Sequence, residues 1–432
     1  MNRYPLPTSR QEEWADMEMG VIIHHCMETY HPEIPEDQWK KAGSLMPAES
    51  FAPTDENTDQ WIGTAAKMGA KYAVLVANHC SGFSLWPTKE NDYSMAKSPY
   101  RNGQADVVKD FVESCKKYGV RPGLYYSTGC NTHCGINDDE EIDYRSAHYQ
   151  QYVGMVTRQL TELWSQYGEM FEIWFDGGVV PLETGGSDIL GLLRKYQPNA
   201  ICFQGPSGHP TNLRWVGNEN GCAPIECWST AGTGSTGFAD TSVDETGIGR
   251  PDGAYWIPAE TDMASRKQSA LGGGWFWQAG EDHLVYTAEE LMDTYLTSVG
   301  RNSNLLLGMC IDQRGHFPEE DERQFLRFGE LVRDLYRDPA ASVRGTGMRF
   351  ELELQQPESI RNLVIAEDIH YGQRVRRFHV EIDAGEGWQP LFEARSIGHK
   401  RIVPVNRTIC GARLVIDEAV DAPILREVTL YR

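Results

Sequence analysis

Short apolar runs alternate with longer stretches whose apolar positions recur every three to four residues. Residues 20–25 (GVIIHH), 71–78 (KYAVLVAN), 121–127 (RPGLYYS), 171–178 (FEIWFDGG) and 200–205 (AICFQG) read as strands. Several are apolar almost throughout, as expected of strands covered on both faces. Residues 54–69, 104–119, 144–167 and 187–196 read as helices, and the second of these stops at Gly119, a C-cap residue. Strands of four to eight residues alternating with helices predict βα units around a parallel sheet.

After residue 205 the rhythm loosens. Residues 212–217, 254–260, 273–277 and 304–308 are further strand candidates, which makes nine for eight places. One of the later four is therefore not a strand, or lies outside the barrel. The expected fold is α/β, a (β/α)8 barrel over residues 1–341. An open doubly wound sheet is the alternative, but no G-x-G-x-x-G follows the first strand, and residues 247–253 read only as a Gly-rich loop. A helix over about 318–337 ends at Asp338-Pro339. Beyond it come short runs with period-two alternation, bounded by Gly, Pro and Asp. They predict a second domain over 342–432, a small antiparallel β-sandwich.

Hydrophobic residues make up 40 % and charged residues 24 % of the 432, so wholesale disorder is excluded. No apolar run reaches the about 18 residues of a membrane-spanning helix. Asp plus Glu number 62 against 40 Lys plus Arg, a net charge of −22. Phosphate backbones and anionic lipid would be repelled, which points away from nucleic-acid and membrane partners and toward a neutral substrate. The N-terminal residues carry no apolar signal core, and the ten cysteines form no spaced framework. A cytoplasmic location with free thiols is the expectation. Cys130-Asn-Thr-His-Cys134 resembles half a metal site, but no second ligand pair follows, and it reads as a loop.

In such a barrel, chemistry gathers at the C-terminal ends of the strands. His24 and His25 end the first, His79 the second, Tyr125 and Tyr126 the third, and Asp176 the fourth. Asp176 follows an apolar strand and precedes Gly177-Gly178, which let a ligand approach the backbone. It is the candidate nucleophile or general base. Glycoside hydrolysis needs a second carboxyl, and Glu219, Glu226 and Glu260 are candidates for it. Trp86, Trp174, Trp256, Trp275, Phe276 and Trp277 supply aromatic faces for a sugar pocket, although core packing is the ordinary role of any one of them. His24 and His25 are adjacent on a strand and point to opposite faces, and no H-x-H or H-E-x-x-H occurs. Neither a catalytic metal nor another cofactor is expected. A G-x-S-x-G nucleophile elbow is also absent.

These residues resemble the α-L-fucosidases of glycoside hydrolase family 29, most closely the subgroup selective for α-1,3/1,4-linked fucose. The resemblance covers most of residues 10–310. Gly20-Val-Ile-Ile-His24, the Ala70–His79 strand followed by Ser81-Gly-Phe-Ser-Leu-Trp86-Pro, Gly123-Leu-Tyr-Tyr-Ser127, Trp174-Phe-Asp176-Gly, Arg214-Trp-Val-Gly-Asn-Glu219 and Ser298-Val-Gly-Arg-Asn302 occur in the family's order. The resemblance implies a retaining exo-hydrolase, with Asp176 as nucleophile and Glu219 as acid/base, Glu260 being the reserve. It also implies that His24 and His79 bind fucose hydroxyls with Trp174 and Tyr126 nearby. Trp86, Trp277 and Glu260 complete the expected substrate-binding set. The implied partner is a fucosylated oligosaccharide or glycoconjugate. There are departures. Cys80 stands where the family has a second His, His25 and Cys26 replace an aromatic and a Gly, and no Glu-Trp pair lies between Cys26 and Phe51. A retaining hydrolase for another sugar, a non-catalytic carbohydrate-binding barrel and a metal-dependent hydrolase are the competing readings.

Overall fold

The structure, a computed structural model, describes residues 4–34, 38, 46–137, 142–234 and 247–432. In chain order its first ten strands are β1 (Met19–His24), β2 (Tyr72–Asn78), β3 (Arg121–Tyr126), β4 (Glu172–Trp174), β5 (Ile201–Phe203), β6 (Asn212–Trp215), β7 (Thr230–Ala231), β8 (Tyr255–Trp256), β9 (Ala259–Met263) and β10 (Ser303–Cys310). Eight of them close into a barrel in the order β1-β10-β9-β6-β5-β4-β3-β2, and every pairing between them is parallel. Helices Thr58–Met68, Val107–Tyr118, Ala147–Gln166 and Ile189–Tyr196 fall where the periodicity puts them. Asn57, Asp106, Ser146 and Asp188 cap their first turns with side-chain oxygens. The doubly wound alternative is excluded by the closure.

Two late expectations need correction. Residues 273–277 do not form a strand, because Leu271–Gly274 is a turn whose Gly272, Gly273 and Gly274 take φ of 57°, 67° and 93°. The aromatic run that follows imitates a buried strand in composition only. Residues 254–260 are divided: Tyr255–Trp256 pairs with Thr230–Ala231 in a separate ribbon, and the barrel strand begins at Ala259.

Strand alternation divides the barrel's apolar residues into two groups. Val21, Ile23, Ala73, Leu75, Leu124, Tyr126, Ile173, Leu305 and Leu307 pack outward against the helices. Ile22, Tyr72, Val74, Val76, Tyr125, Trp174, Ile201, Phe203, Leu213 and Leu306 fill the interior. Gly20 leaves room for the Tyr72 ring, since a Cβ there would lie 2.3 Å from it.

The second domain is an antiparallel sheet of β11 (Pro339–Thr346), β12 (Arg349–Glu367), β13 (Val375–Asp383), β14 (Trp388–Ala394), β15 (Arg401–Ala419) and β16 (Ile424–Tyr431), in the order β11-β16-β12-β15-β13-β14. Its core joins both ends of the 19-residue β12, Phe350 and Leu352 with Leu363 and Ile365. It docks on the barrel through Asn302, whose side chain donates to Cys227 O at 2.8 Å and accepts from the His399 amide at 2.7 Å.

Candidate active site

The C-terminal mouth of the barrel opens into a cavity of about 430 Å³, room for a monosaccharide and its immediate substituent. Asp176, Glu219, His24, His79 and Trp174 all line it. Asp176 stands two residues beyond β4 on an exposed turn, and Gly177 and Gly178 continue that turn with φ of 67° and 82°. Side chains with a Cβ are strained there, so the glycines hold the carboxylate at the cavity rather than in a helix. Tyr125 donates its hydroxyl hydrogen to Asp176 Oδ2 at 2.9 Å.

An aromatic wall supports that bond. Trp174 pairs with Tyr125 and with Phe203 across the neighbouring strands. Its ring stacks on both, with centroids at 5.4 Å and 4.0 Å. His79 stacks on the other face of the wall, 5.8 Å from Tyr125. His24 lies edge-on to His79 at 6.0 Å and is tilted against Trp275 at 5.0 Å. Gly308 makes space for Trp275, since a Cβ would come within 2.8 Å of the indole.

The two histidines differ in charge. Burial, reinforced by His79, pushes His24 well below the ordinary imidazole range, so it is neutral. Burial also opposes charge on His79, but Cys80, Glu28 and Asp176 outweigh it and raise the imidazole. The buried Cys80 thiol is itself pushed far up, and the carboxyl groups facing His79 are those of Glu28 and Asp176. Glu28 Oε1 is 3.3 Å from His79 Nδ1. The cavity thus presents one imidazole that favours its proton and one that does not, suited to donating to and accepting from sugar hydroxyls.

Glu219 enters from the loop after β6, and its Oε2 accepts from Trp275 Nε1 at 3.2 Å. Behind it, Asp262 Oδ1 accepts from Trp215 Nε1 at 2.6 Å. Burial and the negative charges of Glu219, Glu260 and Asp176 drive Asp262 well above the carboxylate range despite the Trp215 bond, so it holds a proton.

Four expected pocket residues lie elsewhere. Tyr126 points outward from β3 and donates to Gln159 Oε1, since alternation gives the interior to Tyr125. Trp86 is buried on the outer side of the barrel, with its indole N–H on Glu162 Oε2 at 2.9 Å. Trp277 follows the glycine turn but does not line the cavity, where Trp275 and Phe276 stand instead. Glu260, the reserve acid/base, is sealed in the barrel interior, accepting from Tyr72 at 2.7 Å and Trp174 Nε1 at 3.1 Å. Glu226 is on the surface beside Arg395 at 3.4 Å.

Glu28, Asp262 and Trp215 also line the cavity, although none is among the residues expected there from the sequence. Asp262 shares the interior parity of Glu260 on β9, a signal that was present. Glu28 follows β1 in a turn, Met27–Tyr30, and brings a carboxylate to a segment without the family's Glu-Trp pair. Cys80 lines the cavity as a free thiol, and Cys26 is buried near it. Cys130 and Cys134 are free thiols. Among the described residues no three His, Cys, Asp or Glu side chains are grouped to hold a metal ion.

Comparison with known proteins points the same way as the site. The family model for α-L-fucosidase matches residues 3–336. α-L-Fucosidase 1 of Arabidopsis thaliana is 30 % identical over 469 aligned residues, covering 99 % of this chain and 87 % of the relative. A crystal structure from Bacteroides thetaiotaomicron, assigned provisionally as an α-L-fucosidase, superposes with a TM-score of 0.92 at 31 % identity and covers 99 % of each chain. A Ruminococcus gnavus fucosidase of glycoside hydrolase family 29, solved with fucose, shares the fold with a TM-score of 0.83 at 20 % identity, covering 100 % of this chain and 95 % of its own. The chain belongs to the α-L-fucosidase family of glycoside hydrolases, family 29.

Proposed function

We propose that this fucosidase is a retaining exo-hydrolase that releases α-1,3- or α-1,4-linked L-fucose from oligosaccharides or glycoconjugates, with Asp176 as nucleophile and Glu219 as acid/base. The observation that supports it is the presence of both carboxyl groups on one sugar-sized cavity, between an aromatic wall and two histidines. Asp176 attacks the anomeric carbon, the glycosidic C–O bond breaks, and Glu219 gives its proton to the departing oxygen. Water then attacks the same carbon, Glu219 takes the water's proton, and the carboxylate of Asp176 leaves. Two such displacements retain the anomeric configuration. A carboxyl separation of about 5–5.5 Å is expected with substrate bound. His79, raised by its carboxyl neighbours, and His24, neutral, hold hydroxyls of the sugar, and Trp174 and Trp275 flank it.

Hydrolysis of an aryl α-L-fucoside followed by proton NMR tests the reading. The first product detected should be α-L-fucose, and a branched Lewis-type trisaccharide should be cleaved more efficiently than the aryl fucoside. First release of the β-anomer defeats the retaining assignment, and preference for the aryl substrate defeats the linkage assignment.

A further inference from the structure

Beneath the cavity, the barrel interior holds two carboxyl groups that the proposed reaction does not use. Glu172 on β4 and Glu260 on β9 are both fully buried. Glu260 has donors on both oxygens, Tyr72 Oη at 2.7 Å on Oε1 and Trp174 Nε1 at 3.1 Å on Oε2. Neither oxygen of Glu172 has a hydrogen bond of ordinary length, and the one side-chain donor beside it is the Trp14 indole N–H, which Glu260 shares. Instead the two carboxyls face each other, with Trp14 beside them. Neither has a salt bridge among the described residues. Two bare carboxylates in contact in a dry interior are untenable, so the pair must share a proton. The donor pattern says where it resides. Glu260 accepts two hydrogen bonds, from Tyr72 and Trp174, and is the anion, whereas Glu172 has neither of those donors and is the acid.

The anion is tied to the reaction centre through a short series of contacts. Its Oε2 holds the indole N–H of Trp174, the Trp174 ring lies between Tyr125 and Phe203, and the Tyr125 hydroxyl holds Asp176. We propose that Glu260, held as an anion by the acidic proton of Glu172, is a positioning residue that fixes the Trp174 indole and, through Tyr125, the carboxylate of Asp176. Glu260 touches neither the cavity nor the sugar. The proposal rests on the reading of Asp176 given above, because the rate it governs is that of the proposed reaction.

The test contrasts two isosteric substitutions. Glu172→Gln keeps an N–H donor where the acid proton was and leaves Glu260 an anion. Glu260→Gln removes the anion and sets an NH2 group against one of two donors, Tyr72 or Trp174. With the aryl fucoside, Glu260→Gln should lower kcat/KM at least tenfold, and Glu172→Gln should stay within about threefold of wild type. In 15N-tryptophan-labelled protein the Trp174 indole N–H, identified by its disappearance in Trp174→Phe, should be shifted downfield by its carboxylate acceptor. That signature should persist in Glu172→Gln and vanish in Glu260→Gln. Equal losses of activity in the two variants, or a wild-type Trp174 resonance at the position of a solvent-exposed indole, overturns the proposal. The wild-type resonance needs no interior variant of the pair to fold. It also decides the question if the wild type proves inactive on the fucoside, in which case the functional reading fails separately.

Discussion

Replacing Tyr125 by Phe removes one oxygen and leaves the ring in its stack between His79 and Trp174. What is lost is the 2.9 Å bond to Asp176 Oδ2. A hydrogen bond to a charged acceptor contributes about 1.5–3 kcal/mol, and at 1.36 kcal/mol per decade that is roughly 10- to 150-fold in rate. The loss should not fall evenly on the two steps. In the proposed double displacement Asp176 gives up its charge as the glycosyl-enzyme forms, so the bond is weaker in the transition state than before it. As the intermediate hydrolyses, Asp176 regains its charge, and the bond strengthens in the transition state. Tyr125→Phe should therefore slow the second step most. With an aryl fucoside, kcat should fall at least tenfold, KM should fall with it, and stopped flow should show a burst of aryl alcohol near one equivalent per site. The melting temperature should move little, because the packing is kept. An unchanged kcat, or a lower rate with no burst and a raised KM, refutes the reasoning.

Asp176→Ala should abolish turnover of the aryl fucoside, and azide should partly restore it with formation of β-L-fucosyl azide, since azide then replaces the carboxylate; unchanged activity removes Asp176 from the mechanism. Glu219→Ala should slow substrates with poor leaving groups by about 100-fold or more and those with activated aryl groups much less in the first step; the same pattern in Asp262→Asn instead transfers the acid role to Asp262. The His79 imidazole is raised in the folded state, so its stabilising charge is present below its unfolded value of about 6.5 and is lost as pH rises through the folded value. Urea unfolding from roughly pH 7 to 10 should show that alkaline loss, and Glu28→Gln, which removes the partner at 3.3 Å, should shrink it; an identical pH slope in the variant contradicts the pairing. Asp321→Ala should cost about 3–5 kcal/mol in urea unfolding, because buried Arg266, now paired with it at 2.6 Å, keeps only the longer contact to the exposed Asp282 at 3.4 Å; a cost below about 1 kcal/mol shows the pair is not a buried ion pair.

The first half of the barrel is legible in the sequence, because its strands are apolar runs separated by capped helices. The later half is less so, because the chain between β6 and β9 makes a long excursion through the ribbon β7–β8. Residues 273–277 imitate a strand in composition, and only the glycine φ angles reveal a turn. In the site, the strand-end rule places His24, His79 and Asp176 at the mouth. It leaves Tyr125 and Tyr126 undecided, and parity with Trp174 across the β3–β4 register decides between them. Glu260 draws attention as a carboxyl among aromatics, but it lies one interior layer too deep to meet a sugar. Trp86 follows a motif match into the outer core, where Glu162 satisfies its N–H. Glu28 is invisible to pattern reading, because a lone acid in a short turn carries no periodicity.

The proposed mechanism turns on Asp176 forming the covalent bond to the sugar. Inactivation with a 2-deoxy-2-fluoro-α-L-fucosyl fluoride, followed by intact-mass and peptide mass spectrometry, measures this directly. One fluorofucosyl group per chain is expected, esterified to Asp176 and absent from Asp176→Ala. A stoichiometric label on Glu219, Asp262 or any other residue contradicts it.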